Sequence, residues 1–215
     1  MTAPPKTTRK KRHVGRPDIS AKLLDAAEAV IREEGYAAAT VRRIAKKAGL
    51  NHQAVFYYFG SQEDLLLAVY RRAANARQER LTIALNSDQP LSTMWEVLRD
   101  PHTTGLGLEF MALANHSDTI RVEMAGWAEA CRALEVEAVR RYLAERGIEP
   151  RISPQMVSIL TNALARLLVQ DAALGIDIGH EEAEALVDAS FRNFEARGEA
   201  STEVEPGVGA LSTSD

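Results

Sequence analysis

Apolar residues recur at helical spacing along nearly the whole chain, and this periodicity is the strongest constraint on its fold. In the first such segment, one helix face collects Ile19, Leu23, Ala26, Ala27, Val30 and Ile31. The alternation of apolar and polar residues between tight turns that marks β-strands is essentially absent. No internal repeat is visible. The sequence therefore predicts an all-α protein.

Capping residues and glycines divide this pattern into separate helices. Gly35 is expected to end the first helix, and Thr40 and Gly49 to bound a short second one. A third short helix is expected from about residue 51 to 59, and Ser61-Gln62-Glu63-Asp64 resembles a capping box that opens a long fourth helix. Later helical segments are expected at about residues 91–99, 105–115, 118–147, 153–174 and 180–197, with residues 100–107 as the most flexible segment.

Charge is distributed very unevenly along the 215 residues. Residues 1–60 carry a net charge of +7 and residues 61–215 a net charge of −11, which together make −4. This asymmetry is typical of a module that meets a polyanion joined to one that does not. Residues 1–16 are expected to form a disordered basic arm, and residues 199–215 a disordered acidic tail.

The composition argues against several classes of protein. The only cysteine, Cys131, permits no disulfide within the chain. The five histidines show no metal-binding spacing, and no phosphate-binding loop or nucleophile motif is present. We therefore expect no metal, no cofactor and no catalytic residues. Neither a secretory signal nor a membrane-spanning stretch is visible, so we expect a cytoplasmic protein.

Two short helices joined by Ala48-Gly49-Leu50, behind a longer helix, predict a helix-turn-helix whose second helix enters the DNA major groove. On that helix, Gln53 suits an adenine edge, His52 suits a base edge, and Ala54 suits a thymine methyl group. Thr40 and Arg42, on the helix before it, are placed for phosphate and groove contacts. The remaining apolar side chains of this recognition helix, which is the third helix of the chain, are expected to face the first helix: Val55, Phe56 and Phe59.

Two runs, residues 40–50 and residues 56–65, resemble the TetR (tetracycline-repressor-like) family of bacterial regulators over about residues 17–66. The resemblance implies a homodimeric, all-helical repressor that binds a palindromic DNA operator through its N-terminal domain. Gln62 stands where the family usually has Lys, and it can reach a phosphate only as a neutral donor. The resemblance implies DNA contacts at eight positions, Gln62 among them. They are Thr40, Arg42, His52, Gln53, Ala54, Tyr57, Tyr58 and Gln62.

The resemblance also implies a larger helical C-terminal domain that holds an effector and the dimer interface. Accordingly, residues 17–63 are assigned to DNA binding, and residues 64–198 to ligand binding and dimerisation. Aromatic, thioether and aliphatic side chains suit a pocket for a hydrophobic small molecule. The candidates are Trp95, Leu98, Leu106, Phe110, Met111, Met124, Trp127 and Cys131. Broad apolar stripes on the last two helices are consistent with a two-fold dimer interface.

Three hypotheses remain open from the sequence. The first is a repressor that a hydrophobic small-molecule effector releases from its operator. The second is a constitutive DNA-binding protein whose C-terminal domain only dimerises or docks a protein partner. The third is a small-molecule carrier or enzyme with a vestigial helix-turn-helix.

Overall fold

The computed structural model describes residues 17–149 and 152–202, with side chains described from 19 to 149 and from 152 to 196. This part of the chain holds nine α-helices, a short 3-10 helix at Tyr36–Ala38 and no strand. The all-α prediction is confirmed. The helices are α1 (Pro17–Glu34), α2 (Val41–Ala48), α3 (Gln53–Tyr58), α4 (Gln62–Leu85), α5 (Pro90–Leu98), α6 (Pro101–Ala114), α7 (Asp118–Glu145), α8 (Pro154–Ala173) and α9 (His180–Thr202).

The predicted caps are present at the first helices. Thr40 Oγ1 accepts the Arg43 backbone N–H at 3.3 Å, and Gly49 ends α2 in the left-handed conformation, with φ 67°. Ser61 Oγ accepts the Asp64 backbone N–H at 3.0 Å and donates to Asp64 Oδ2 at 2.8 Å. The predicted basic arm, residues 1–16, lies outside the described residues. The disordered tail was predicted to begin at residue 199, but α9 continues to Thr202. The rest of the predicted tail, residues 203–215, lies outside the described residues.

The segment expected to be the most flexible, residues 100–107, is instead largely helical. Asp100 caps the start of α6: Oδ1 accepts the His102 backbone N–H at 3.0 Å, and Oδ2 accepts the Thr103 hydroxyl at 2.7 Å. Arg80 on α4 donates to Asp100 Oδ2 at 2.7 Å. These bonds offset the two glycines of the segment, Gly105 and Gly107, which disfavour a helix on their own.

The described residues form two compact units, and the long helices α4, α6 and α7 contribute to both. The first unit contains the described residues up to Ala74 together with Leu106–Arg121. The second contains Asn75–Gly105 and the described residues from Val122 onward. No described helix combines the length and apolar character needed to cross a bilayer.

Each unit has its own apolar core. In the first unit the fully buried side chains include Leu23, Ala27, Val30, Ile31, Ile44, Val55, Leu65 and Val69. The core of the second is centred on Leu81, Met94, Trp95, Leu98, Val139, Leu143, Ala165 and Leu168. The buried Glu195 of α9 ties α9 to α5, because its Oε1 accepts the Leu91 backbone N–H at 2.8 Å.

The cap at Asp100 makes stability depend on pH. Burial opposes ionisation, but the bonds from Thr103, Arg80 and the His102 N–H lower the pKa of Asp100 from 3.8 to about 2. A lowered carboxyl pKa stabilises the fold above about pH 4, and that contribution is lost as the pH falls toward 2. We expect Asp100→Asn to lower the melting temperature at neutral pH, with the difference from wild type narrowing in acid.

Thermal unfolding of both proteins, followed by circular dichroism from neutral pH down to about pH 3, measures this effect. Asp177→Asn changes an exposed aspartate in the turn before α9 and serves as the matched control. A difference between wild type and Asp100→Asn that stayed constant across this range would contradict the assignment of the cap.

Candidate nucleic-acid interface

The helix-turn-helix is held in place by a few buried side chains and one tight turn. Ile44 and Ala45 anchor α2, and Val55, which is fully buried, anchors α3. Between them, Gly49 takes a positive φ, and the Leu50 backbone N–H bonds to the Ala45 carbonyl at 2.9 Å. The sequence predicted this arrangement from the glycine and the spacing of apolar residues.

The outer face of α3, with the residue before it, carries most of the residues predicted to contact DNA. His52, Gln53 and Tyr57 are exposed, with Tyr57 at 60%, while Ala54 and Tyr58 are half-buried. The Gln53 backbone N–H donates to Asn51 Oδ1 at 2.9 Å, so Asn51 caps the start of this six-residue helix. The Tyr57 and Tyr58 rings meet edge to face, with centroids 5.0 Å apart.

The expectation that Phe56 faces α1 is wrong, because its side chain is 52% exposed. Val55 lies on the inner face of α3 and Phe59, one turn later, is half-buried on the same side. A residue one step after Val55 is rotated by about 100° around the helix and points away from that core. The position of Phe56 directly after the inward-facing Val55 was therefore the signal that could have predicted its exposure. Phe56 thus adds an exposed aromatic ring beside Tyr57.

Helix α2 has two adjacent arginines in different environments. Arg43 forms a two-pronged ion pair with Glu34, at 2.8 Å and 2.5 Å, and this pairing lowers the pKa of Glu34. Lys47 is paired with Glu33. Arg42 is exposed, and no ion pair joins it to any of the described acidic residues. The structure therefore leaves Arg42, the residue chosen from the sequence, available to an external anion.

The two other predicted phosphate contacts lie at helix N-termini. Thr40 is exposed at the start of α2, where its hydroxyl oxygen accepts a capping bond and its proton remains available to donate. Gln62 is half-buried as the first residue of α4, between Ser61 and the acidic Glu63. Backbone N–H groups at the N-terminus of α2 favour an anion, whereas the carboxylates of Glu63 and Asp64 in the first turn of α4 oppose one.

The predicted effector residues divide between the two units. Leu106 and Phe110 are buried in the first unit, where the Phe110 ring lies 5.2 Å from that of Tyr70, and Met111 is 51% exposed. In the second unit, Trp95 and Leu98 are buried in the core. The remaining candidates of that unit are half-buried: Met124, Trp127 and Cys131. Burial raises the pKa of the Cys131 thiol.

Within the described parts of the chain, no three histidine, cysteine or acidic side chains come together as metal ligands would.

Comparison with known proteins agrees with the geometry of the first unit. Residues 23–69 match the family model described as bacterial regulatory proteins, tetR family. A transcriptional repressor of Mycobacterium tuberculosis (strain H37Rv), Rv3405c, is 37% identical over 90 residues, which are 42% of this chain and 46% of that protein. The chain thus spans about half the length of the first relatives it matches.

A longer match joins the chain to the fatty acid metabolism regulator protein of Bacillus subtilis (strain 168). The two are 35% identical over 146 residues, or 63% of this chain and 75% of the relative. The fold is shared with a crystal structure of a TetR-family regulator from Rhodococcus, with a TM-score of 0.69 and 16% identity over 83% of this chain and 99% of that one.

The helix-turn-helix, the all-helical fold and these similarities lead to one conclusion. The chain belongs to the TetR family of bacterial transcriptional regulators, which bind DNA and are not enzymes.

Proposed function

We propose that this protein is a ligand-responsive repressor, acting in the cytoplasm as a homodimer on a palindromic operator and released by a hydrophobic small molecule. The observation that carries the DNA-binding part is the arrangement of α3. Val55 is fully buried while His52, Gln53 and Tyr57 are exposed on the opposite side. This orientation is the one a recognition helix needs, since its outer face must reach the base edges.

The side chains of this face divide into two kinds of contact. Gln53 pairs with an adenine edge, His52 contacts a base edge, and the methyl group of Ala54 meets a thymine methyl. The phosphate contacts fix the register and carry no sequence information of their own. We assign them to Thr40, Tyr57, Tyr58 and Gln62, while Arg42 faces the groove.

An exposed apolar stripe on α8 supports the dimer. Met156, Ile159, Leu160 and Leu167 repeat at helical spacing, and each is between 43% and 54% exposed. Leu186 on α9 is 69% exposed. Such a stripe is costly in water, and two copies of this helix pair would cover it in a four-helix interface. A two-fold dimer presents two identical DNA-binding domains related by symmetry, and we therefore expect a palindromic operator.

Unpartnered polar groups support an effector in the second unit. Trp95 Nε1 and Arg77 Nε are buried, and neither has a hydrogen-bond partner among the described residues. Buried donors in native proteins are nearly always paired, and an apolar molecule that carries an acceptor would supply the missing bond. The Bacillus subtilis relative is named for fatty acid metabolism, which makes fatty acids the first probes.

Helix α6 is our candidate for the coupling element. Glu109 Oε2 on α6 accepts the Tyr36 backbone N–H at 2.8 Å, in the turn that joins α1 to α2. The hydroxyl of Ser117, in the turn after α6, donates to Glu63 on α4. If the effector displaced α6 or α4, these hydrogen bonds would change, and with them the position of the helix-turn-helix formed by α2 and α3. The effector must favour the displaced state by about 100-fold, or ~2.7 kcal/mol, to act as a switch.

One observation favours the alternative of a constitutive DNA-binding protein. Trp95 is fully buried and Leu98 is 3% exposed, both within the packed core of the second unit. A C-terminal domain that only dimerises or docks a protein would need no more than that core. The effector experiment below separates the two functions.

The first prediction concerns base reading. His52, Gln53 and Tyr57 changed together to alanine should weaken operator binding at least about 100-fold, because the variant loses two base contacts, each contributing about 1–3 kcal/mol of discrimination, and one phosphate contact. Sequencing the DNA that the purified protein selects from a random pool supplies the operator, and fluorescence anisotropy measures the affinity.

Lys46→Gln is the matched control, since Lys46 is an exposed cation of α2 to which no base contact is assigned. It should weaken binding to all sequences alike and reduce the log–log salt slope by at most about 0.9. Retention of full operator affinity by a folded triple variant would exclude the proposed interface.

The second prediction concerns the dimer. Leu160→Asp should convert the protein to a monomer and abolish tight binding to the full palindrome, because it places charge in the proposed interface. Light scattering after size exclusion gives the mass. Ile83→Asp changes a 73% exposed isoleucine on α4 and should leave the dimer intact. A dimeric Leu160→Asp variant would place the interface elsewhere.

The third prediction concerns the effector. Medium- and long-chain fatty acids should lower operator affinity by about 100-fold and change the intrinsic tryptophan fluorescence, since both tryptophans lie in the second unit. The corresponding fatty alcohols should act more weakly, because an ionised acceptor forms the stronger bond with a guanidinium. Arg77→Met should remove this preference. If neither acids nor alcohols changed operator affinity, the constitutive alternative would be favoured.

A further inference from the structure

The second unit holds a cavity of about 420 Å³ that the proposed function does not use. It lies between the turn that joins α4 to α5 and the last turns of α7, and Asn86 and Ser87 contribute to its wall on the turn side. None of the eight effector candidates lines it. Its volume falls in the range of small-molecule sites in proteins, about 300–1,000 Å³.

The α7 wall of this cavity is cationic and aromatic. Arg141, Tyr142, Glu145 and Arg146 line the cavity together with Ala138. The four positions from Ala138 to Glu145 recur at intervals of three and four residues and so share one face of α7, and Arg146 follows directly after the helix ends. Two guanidinium groups, a phenol ring and one carboxylate thus line the same space.

Arg146 carries a donor with no partner. Its guanidinium lies over the Tyr142 ring, 3.9 Å from the centroid. Its Nε is buried and has no hydrogen-bond partner within the described ranges. Oε2 of the adjacent Glu145 lies 3.5 Å from Arg146 Nη1, which is too far for a good hydrogen bond. Buried N–H groups are rarely left unpaired, and the described chain supplies no acceptor for this Nε.

The Arg141 guanidinium is held by two hydrogen bonds and has further N–H donors. Its Nη2 donates to the Leu85 carbonyl at 3.1 Å and to Asn86 Oδ1 at 3.2 Å. These bonds hold the guanidinium against the end of α4. A guanidinium has five N–H groups, so Nε and Nη1 remain available on the cavity wall. No carboxylate is paired with Arg141 in the part of the chain that the structure describes.

We propose that this cavity binds a small organic oxyanion, a carboxylate or a phosphate ester, at a site separate from the effector core. The planar donors of Arg146 and Arg141 match the oxygens of such a group. The cavity also contains the carboxylates of Asp88 and Glu145, so its charged side chains balance overall. That balance disfavours a polyanion, so we limit the proposed ligand to one or two negative charges.

Isothermal titration of the full-length protein with inorganic phosphate, glycerol 3-phosphate and succinate tests the proposal and separates the two sources of oxyanion. We expect saturable binding of at least one of the three. Arg146→Met keeps the length of the side chain and should weaken that binding at least about tenfold, a change of about 1.4 kcal/mol.

Arg140→Met is the matched control, since Arg140 is exposed on the same helix and does not line the cavity. It should leave the affinity within about twofold of wild type. A measurement that needs no variant follows the Nε–Hε resonance of Arg146 by NMR in the wild-type protein, and this resonance should shift on titration with the ligand that binds.

The proposal is overturned if none of the three probes binds saturably, or if Arg146→Met and wild type bind them equally. In either case water or the fold alone satisfies Arg146. Operator binding by Arg146→Met should equal that of wild type. The anion site and the repressor function can therefore fail independently of one another.

Discussion

The burial of Val55 is the interaction on which the proposed DNA-reading surface depends. Helix α3 has only six residues, and a helix of that length is unstable alone in water. Val55 removes its apolar surface from water and thereby fixes the rotation of α3. With that rotation fixed, Gln53 and Tyr57 must face outward. The packing of Val55 orients α3. The residues on its outer face can therefore differ in type without changing that orientation.

Ion pairs decide which cations of the described first unit remain available to an external anion. Arg43 is held by Glu34, Lys47 by Glu33, and Arg72 by Asp25 at 2.6 Å and Glu28 at 2.8 Å. Burial opposes ionisation of Glu28, but bonds from Arg32 and Arg72 lower its pKa. The positive charge of the described residues 19–60 is therefore not spread evenly over their surface. Arg42 is one of the cations that no described carboxylate neutralises.

Most of the fold could be predicted from the sequence because helix boundaries are local. Thr40, Gly49 and Ser61 act on backbone groups within four residues of themselves, so their effect is readable without the fold. Residues 100–107 show the limit of this approach. Their helix depends on Asp100, which Arg80 holds from a different helix, and two glycines in the segment suggested the opposite. A bond between distant residues overrode the local preference.

The sequence alone determined the helical class, the helix-turn-helix and the exposure of His52, Gln53 and Tyr57. Only the tertiary structure decided that Phe56 is exposed, that Arg42 rather than Arg43 lacks an acidic partner, and that the effector candidates divide between two units. The physical reason is the range of the interactions. Periodicity and capping act within one or two turns of a helix, whereas burial and ion pairing depend on residues that only the folded chain brings together.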